Sequence, residues 1–152
     1  MSKGTSGDCI PLTDYTSHGK NLAGLHLLVV DDEPDARRML VKVLGGLGAR
    51  VTSAASATEA IDVLADTVKK NDRPDVLISD IGMPNQDGYD LIRTIRQLGH
   101  RSIELPAIAL TAFAREADSA AAVLAGFQVY HCKPVDIGEL TASIVKLAGR
   151  IG

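Results

Sequence analysis

The feature that most limits what this chain can fold into is an alternation repeated five times. An apolar run of five or six residues is followed, after turn residues, by a segment with apolar positions at helical spacing. The runs are LHLLVV (25–30), RVTSA (50–54), DVLIS (75–79), PAIAL (106–110) and QVYHC (128–132). Each reads as a short strand. The segments between and after them read as helices. Residues 34–48 place Met39, Leu40, Val43, Leu44 and Leu47 on one face, with Pro34 in the first turn and glycines at the end. Residues 56–70 start at Ser56, a capping residue, and align Ala60, Ile61, Leu64 and Val68. Residues 88–99 align Leu91, Ile92, Ile95 and Leu98; residues 136–149 align Ile137, Leu140, Ile144 and Leu147. Residues 114–126 form an Ala-rich helix with a weaker face. Five such units predict an α/β fold with parallel strands, right-handed crossovers and helices on both faces of one sheet.

Composition fits that architecture. Aromatics make up 3% of the 152 residues, so the core must be Leu, Val, Ile and Ala, as where helices cover a parallel sheet. The length suits one domain, expected over 24–150. Residues 1–23, rich in Ser, Thr, Gly and Lys, read as a tail or interdomain linker, with CIPL (9–12) as a strand-like remnant. A net charge of −3 without a basic cluster argues against nucleic acid. No apolar run approaches the ~20 residues that span a bilayer, and the N-terminus lacks a signal-peptide core. Cys9 and Cys132 offer neither a disulfide framework nor metal-type spacing, which favours a reducing, cytoplasmic setting.

In open parallel sheets, function gathers beyond the carboxyl ends of the strands. The first strand ends in Asp31, Asp32 and Glu33; the third in Ser79 and Asp80; the fourth in Thr111; the fifth in Cys132 and Lys133. Carboxylates brought to one edge repel and raise one another's pKa, and a divalent cation relieves this. Hard oxygen donors with retained waters suit Mg²⁺, with Mn²⁺ as a substitute. One carboxylate can then act as nucleophile toward a phosphoryl group, helped by a lysine. A threonine hydroxyl can donate to a phosphoryl oxygen.

The segments LLVVDDEPDAR, DVLISDIGMPNQDGYDLI, AIALTAFA and HCKPVD stand in order on this alternation. Over residues 25–149 they resemble the receiver domain of two-component response regulators. The resemblance implies a flavodoxin-like, doubly wound sheet of order 2-1-3-4-5 with five helices. It implies that Asp80 accepts the phosphoryl group and that Asp31 and Asp32 hold Mg²⁺ with Asp80 and the backbone carbonyl of Gly82. Thr111 would be the switch hydroxyl, Lys133 the phosphoryl partner before a cis Pro134, and Tyr130 the switch aromatic. A histidine kinase or histidine phosphotransfer protein would be the donor, and the face built by the fourth helix, fifth strand and fifth helix would be read by a partner. As given, the chain would be a phosphoacceptor with at most self-dephosphorylation.

The segments look most like receivers attached to hybrid histidine kinases, so a parent kinase is expected; a stand-alone regulator is the alternative. Residues beyond the fifth helix are too few for a DNA-binding module. A phosphatase of the haloacid-dehalogenase type also uses an aspartyl phosphate, but it wants Asp-x-Asp where this chain has adjacent Asp31-Asp32, and a cap domain for which there is no room. Plainer readings stand beside these for single residues, and for Asp31 and Asp32 the plain one is compatible with metal binding. Asp31 and Asp32 can cap the helix at Pro34, and His26 and His131 sit in strands as packing residues. His18 belongs to the tail and His100 to a loop.

Overall fold

The computed structural model describes residues 22–81, 88–97, 105–111 and 126–149. Within these, the chain runs β1 (His26–Val30), α1 (Pro34–Gly46), β2 (Arg50–Ala54), α2 (Ala57–Lys69), β3 (Val76–Asp80), α3 (Gly88–Gln97), β4 (Ala107–Thr111), β5 (Val129–Cys132) and α4 (Ile137–Leu147). The strands form one parallel sheet of order β2-β1-β3-β4-β5. The expected helix over 114–126 lies almost wholly outside the described residues.

Strand alternation explains the two-faced core. Successive side chains of a strand point to opposite sides. Leu28 and Val30 of β1 pack with Ala60, Leu64, Leu91, Ile92 and Ile95 of α2 and α3. Leu27 and Val29 pack with Leu40, Leu44, Leu140 and Ile144 of α1 and α4. A strand buried on both sides needs a continuous apolar run, and β1, β3 and β4 are buried throughout. Edge strand β5 is only partly buried. Met39, expected on the inner face of α1, is instead 43% exposed. Leu40, Leu44 and Leu47 complete the stripe, and Met39 falls one residue outside it.

The helix starts are built locally. Glu33 is the N-cap of α1, accepting from the amides of Asp35 (2.7 Å) and Ala36 (3.2 Å), with Pro34 in the first turn. Asp31 and Asp32, expected as alternative caps, do not fill that place. Ser56 Oγ accepts from the Glu59 amide ahead of α2, and Glu59 accepts from the Ala55 amide in return. The turn after α1 requires a glycine: Gly48 has φ +105°, and a Cβ there would meet the Ala23 backbone at 3.0 Å. Leu22 is fully buried and its amide donates to Leu47 O (3.1 Å). Leu22, placed above in the lead-in, is thus buried against the sheet's helices, while Ala23 is exposed; residues 1–21 lie outside the described part.

At the amino end of β1 stands a buried polar network. His26 Nδ1 lies 3.0 Å from Asp72 O, and Nε2 lies 2.8 Å from Thr52 Oγ1. A carbonyl only accepts, so Nδ1 carries a proton. The His26 amide donates to Asp75 Oδ2 (2.8 Å), and the Asp75 amide returns a bond to His26 O. Arg50 reaches both carboxylate oxygens of Asp72, at 2.6 and 2.8 Å. His26 is thus bonded through both ring nitrogens, more than the packing role expected of it.

Candidate functional site

At the opposite end of the sheet, register sets the site. Val30 pairs with Ser79, so the next residues, Asp31 and Asp80, leave adjacent central strands at one level. Asp80 pairs with Leu110, and Thr111 with Cys132, which brings the ends of β4 and β5 alongside. Backbone bonds continue past the strands: the Asp31 amide donates to Ala54 O (3.1 Å), the Ile81 amide to Leu110 O (3.1 Å), and the Lys133 amide to Thr111 O (2.7 Å). The Lys133–Pro134 peptide is cis.

These ends bring together Asp31, Asp32 and Asp80, each with a carboxylate oxygen within 4.8 Å of the others. Asp31 is fully buried, Asp80 is 7% exposed and Asp32 is exposed. Lys133 Nζ lies 3.3 Å from Asp80 Oδ2 and 3.5 Å from Asp31 Oδ2. Among the described residues, one ammonium stands beside these three carboxylates. Asp31 Oδ1 accepts from the Glu33 amide (2.9 Å), while the buried Oδ2 has no hydrogen-bond partner. Burial pushes the Asp31 carboxyl above the ordinary carboxylate value, and the Asp80 charge adds to this; the Glu33 amide and Lys133 oppose it.

A hard divalent cation fits this donor set. The buried Asp31 Oδ2 is the strongest indication: it has no hydrogen bond and only the longer Lys133 contact at 3.5 Å, and such an atom is costly unless something completes its bonding. Two further carboxylates stand within reach of the same point, and all the donors are oxygen. Gly82, expected to add a carbonyl, lies outside the described residues, as do Pro84 and Asn85.

Thr111 is buried at the end of β4, beside Asp80's strand. Tyr130 is 36% exposed on β5, and the neighbouring His131 bonds Ser143 of α4 through Nε2 (2.8 Å). Ser79 turns its hydroxyl to the Asp80 carbonyl (3.0 Å), not into the cluster. Cys132 is a free, exposed thiol. The sequence reading missed Arg37, whose Nη1 donates to the carbonyl of Asp31 (2.8 Å). Its spacing gave a faint signal: one helical turn after Glu33, it lies on the side of α1 that returns over the preceding loop.

Known proteins carry the same pattern. The family model described as response regulator receiver domain matches residues 27–145. An uncharacterized 14.6 kDa protein in the sodA1 3′ region of Leptolyngbya boryana is 46% identical over 121 residues, covering 80% of this chain and 88% of that protein. The sensor histidine kinase RcsC of Salmonella typhi is 34% identical over 142 residues; the match covers 93% of this chain but only 14% of the kinase. Among solved structures, a response regulator from Chloroflexus aurantiacus superposes with a TM-score of 0.75 at 34% identity, covering 83% of this chain and 98% of that one. The receiver domain of a signal transduction histidine kinase from Syntrophus aciditrophicus gives 0.73 at 26%, covering 84% and 92%. Among the described residues, no helix is long and apolar enough to cross a membrane.

Proposed function

The chain belongs to the response regulator receiver domain family, and from that premise we propose that Asp80 is the residue that takes the phosphoryl group. Receiver domains of two-component signalling bind Mg²⁺ through an acidic pocket and work with histidine kinases or phosphotransfer proteins. Here the donor is a phosphohistidine. An Asp80 carboxylate oxygen attacks phosphorus, the phosphorus–nitrogen bond breaks, and its electron pair returns to the imidazole. The product is a mixed anhydride on Asp80.

The observation that carries this reading is Lys133 Nζ at 3.3 Å from Asp80 Oδ2, beside an Asp31 oxygen that has no hydrogen bond. The ammonium is placed to follow the charge from the carboxylate onto the phosphoryl oxygens. Asp31, Asp32, Asp80 and the Gly82 carbonyl would hold Mg²⁺, which when bound supplies the charge neutralisation that phosphoryl oxygens need. Strand β3 is buried along its whole length and holds Asp80 still at its end. Thr111 and Tyr130 would relay the new charge to the face around β5 and α4, where a partner reads it. Identity with the RcsC receiver supports origin in a hybrid kinase; the small Leptolyngbya relative supports a free-standing regulator.

The test is direct. Incubation with Mg²⁺ and a small acyl phosphate should add one phosphoryl group, about 80 Da, that alkali removes. Asp80→Asn should abolish the gain, and a gain that persists in this variant sinks the assignment.

A further inference from the structure

Deepening that receiver reading, we propose that Arg37 is a positioning residue for the cation-binding pair Asp31-Asp32. Arg38 on the same helix pairs with Asp35, and Lys133 at the strand ends pairs with Asp31 and Asp80. Half-buried Arg37 instead gives its Nη1 to a backbone carbonyl, Asp31 O, at 2.8 Å.

That carbonyl belongs to the peptide joining the two acids. Its orientation sets where the Asp32 side chain leaves the backbone. The other handles of Asp31 are already held: its amide by Ala54 O and its Oδ1 by the Glu33 amide. Asp32 has no such support, because its carboxylate is exposed and accepts no hydrogen bond among the described residues. The bond from Arg37 is therefore what fixes the peptide, and through it the aim of Asp32 toward Asp31 and Asp80. The anchor is firm, since the Arg37 amide donates to Glu33 O (2.9 Å) in the first turn of α1.

Two effects of Arg37 on a bound cation have opposite signs, and this makes the proposal testable. As a positive charge near the site, Arg37 repels Mg²⁺, so its removal would tighten binding. As the prop of the 31–32 peptide, its removal would loosen binding. Outer residues that orient metal ligands are commonly worth about 10-fold or more in affinity.

The experiment is calorimetric titration of the unphosphorylated chain with Mg²⁺ alone. Arg37→Met should bind about 10-fold more weakly than the wild type, with an unchanged urea midpoint. Arg37→Lys should recover most of that loss, because the bond uses a single donor and lysine can supply one. A methionine variant that binds as well as the wild type, or better, overturns the inference and leaves the receiver reading standing. A lysine variant no better than methionine overturns it too. A wild-type chain that takes no Mg²⁺ overturns both.

Discussion

The two ends of β1 carry similar chemistry and opposite bookkeeping. At the amino end, His26 is bonded at both ring nitrogens and through its amide, and Arg50 answers Asp72. At the carboxyl end, among the described residues, three acids gather around one lysine and a buried oxygen goes without a hydrogen bond. A satisfied buried network stabilises and specifies a fold. A cluster left short of positive charge is instead ready for a ligand. Within one strand of five residues the protein separates the work of holding together from the work of binding.

The largest stability effect is expected at the satisfied end. His26→Leu removes a buried ring that partners the half-buried Thr52 hydroxyl and Asp72 carbonyl. It should destabilise by ~2–4 kcal/mol in urea unfolding while Mg²⁺ affinity stays at the wild-type value. A loss of both together would mean that the ends are coupled and that the separation is false.

Asp31→Asn should do the reverse. In chelator at neutral pH it removes a buried charge whose Oδ2 has no hydrogen bond, so the urea midpoint should rise, while Mg²⁺ affinity should fall by about 10-fold or more. A lower midpoint would show that the lysine contact outweighs the cost of burial.

The same residue sets a smaller pH effect. The folded Asp31 carboxyl lies above its ordinary value of 3.8 because burial disfavours its charge. Between 3.8 and that raised value the folded protein binds the extra proton, so this group's contribution to stability falls as pH rises. Without divalent cation, the wild type should lose stability relative to Asp31→Asn as pH is raised through that window. Parallel pH curves would break the link between burial and the carboxylate's cost.

The smallest effect belongs to Arg50→Gln. Arg50 draws the Asp72 carboxyl below its ordinary value through their hydrogen bonds, yet both side chains are solvent-exposed. Exposed pairs of this kind contribute little, so the urea midpoint should barely move at any salt concentration. A large drop would show that Asp72's hold on His26 depends on Arg50.

Legibility differed between the two ends for a physical reason. Asp80 and Lys133 stood out because a charge ends an apolar run, and a charge there needs explanation from sequence alone. His26 did not stand out. Its partners Thr52 and Asp72 are 26 and 46 residues away, on another strand and a loop. Arg37 was hidden because its partner is a backbone carbonyl, which leaves no mark in a side-chain pattern. Met39 looked buried because helical spacing locates an apolar stripe but not its edges.

By itself the sequence determined the five-fold alternation, the parallel sheet that follows from it, and the acids and lysine at the strand ends, because periodicity and apolar runs are properties of the local chain. Only the tertiary structure decided which carboxylate oxygen has no hydrogen-bond partner, that Glu33 caps α1 in place of the acids before it, and that Arg37 props the peptide between them. Those outcomes depend on distances between side chains and backbone groups, which exist only once strand register and helix packing have fixed them.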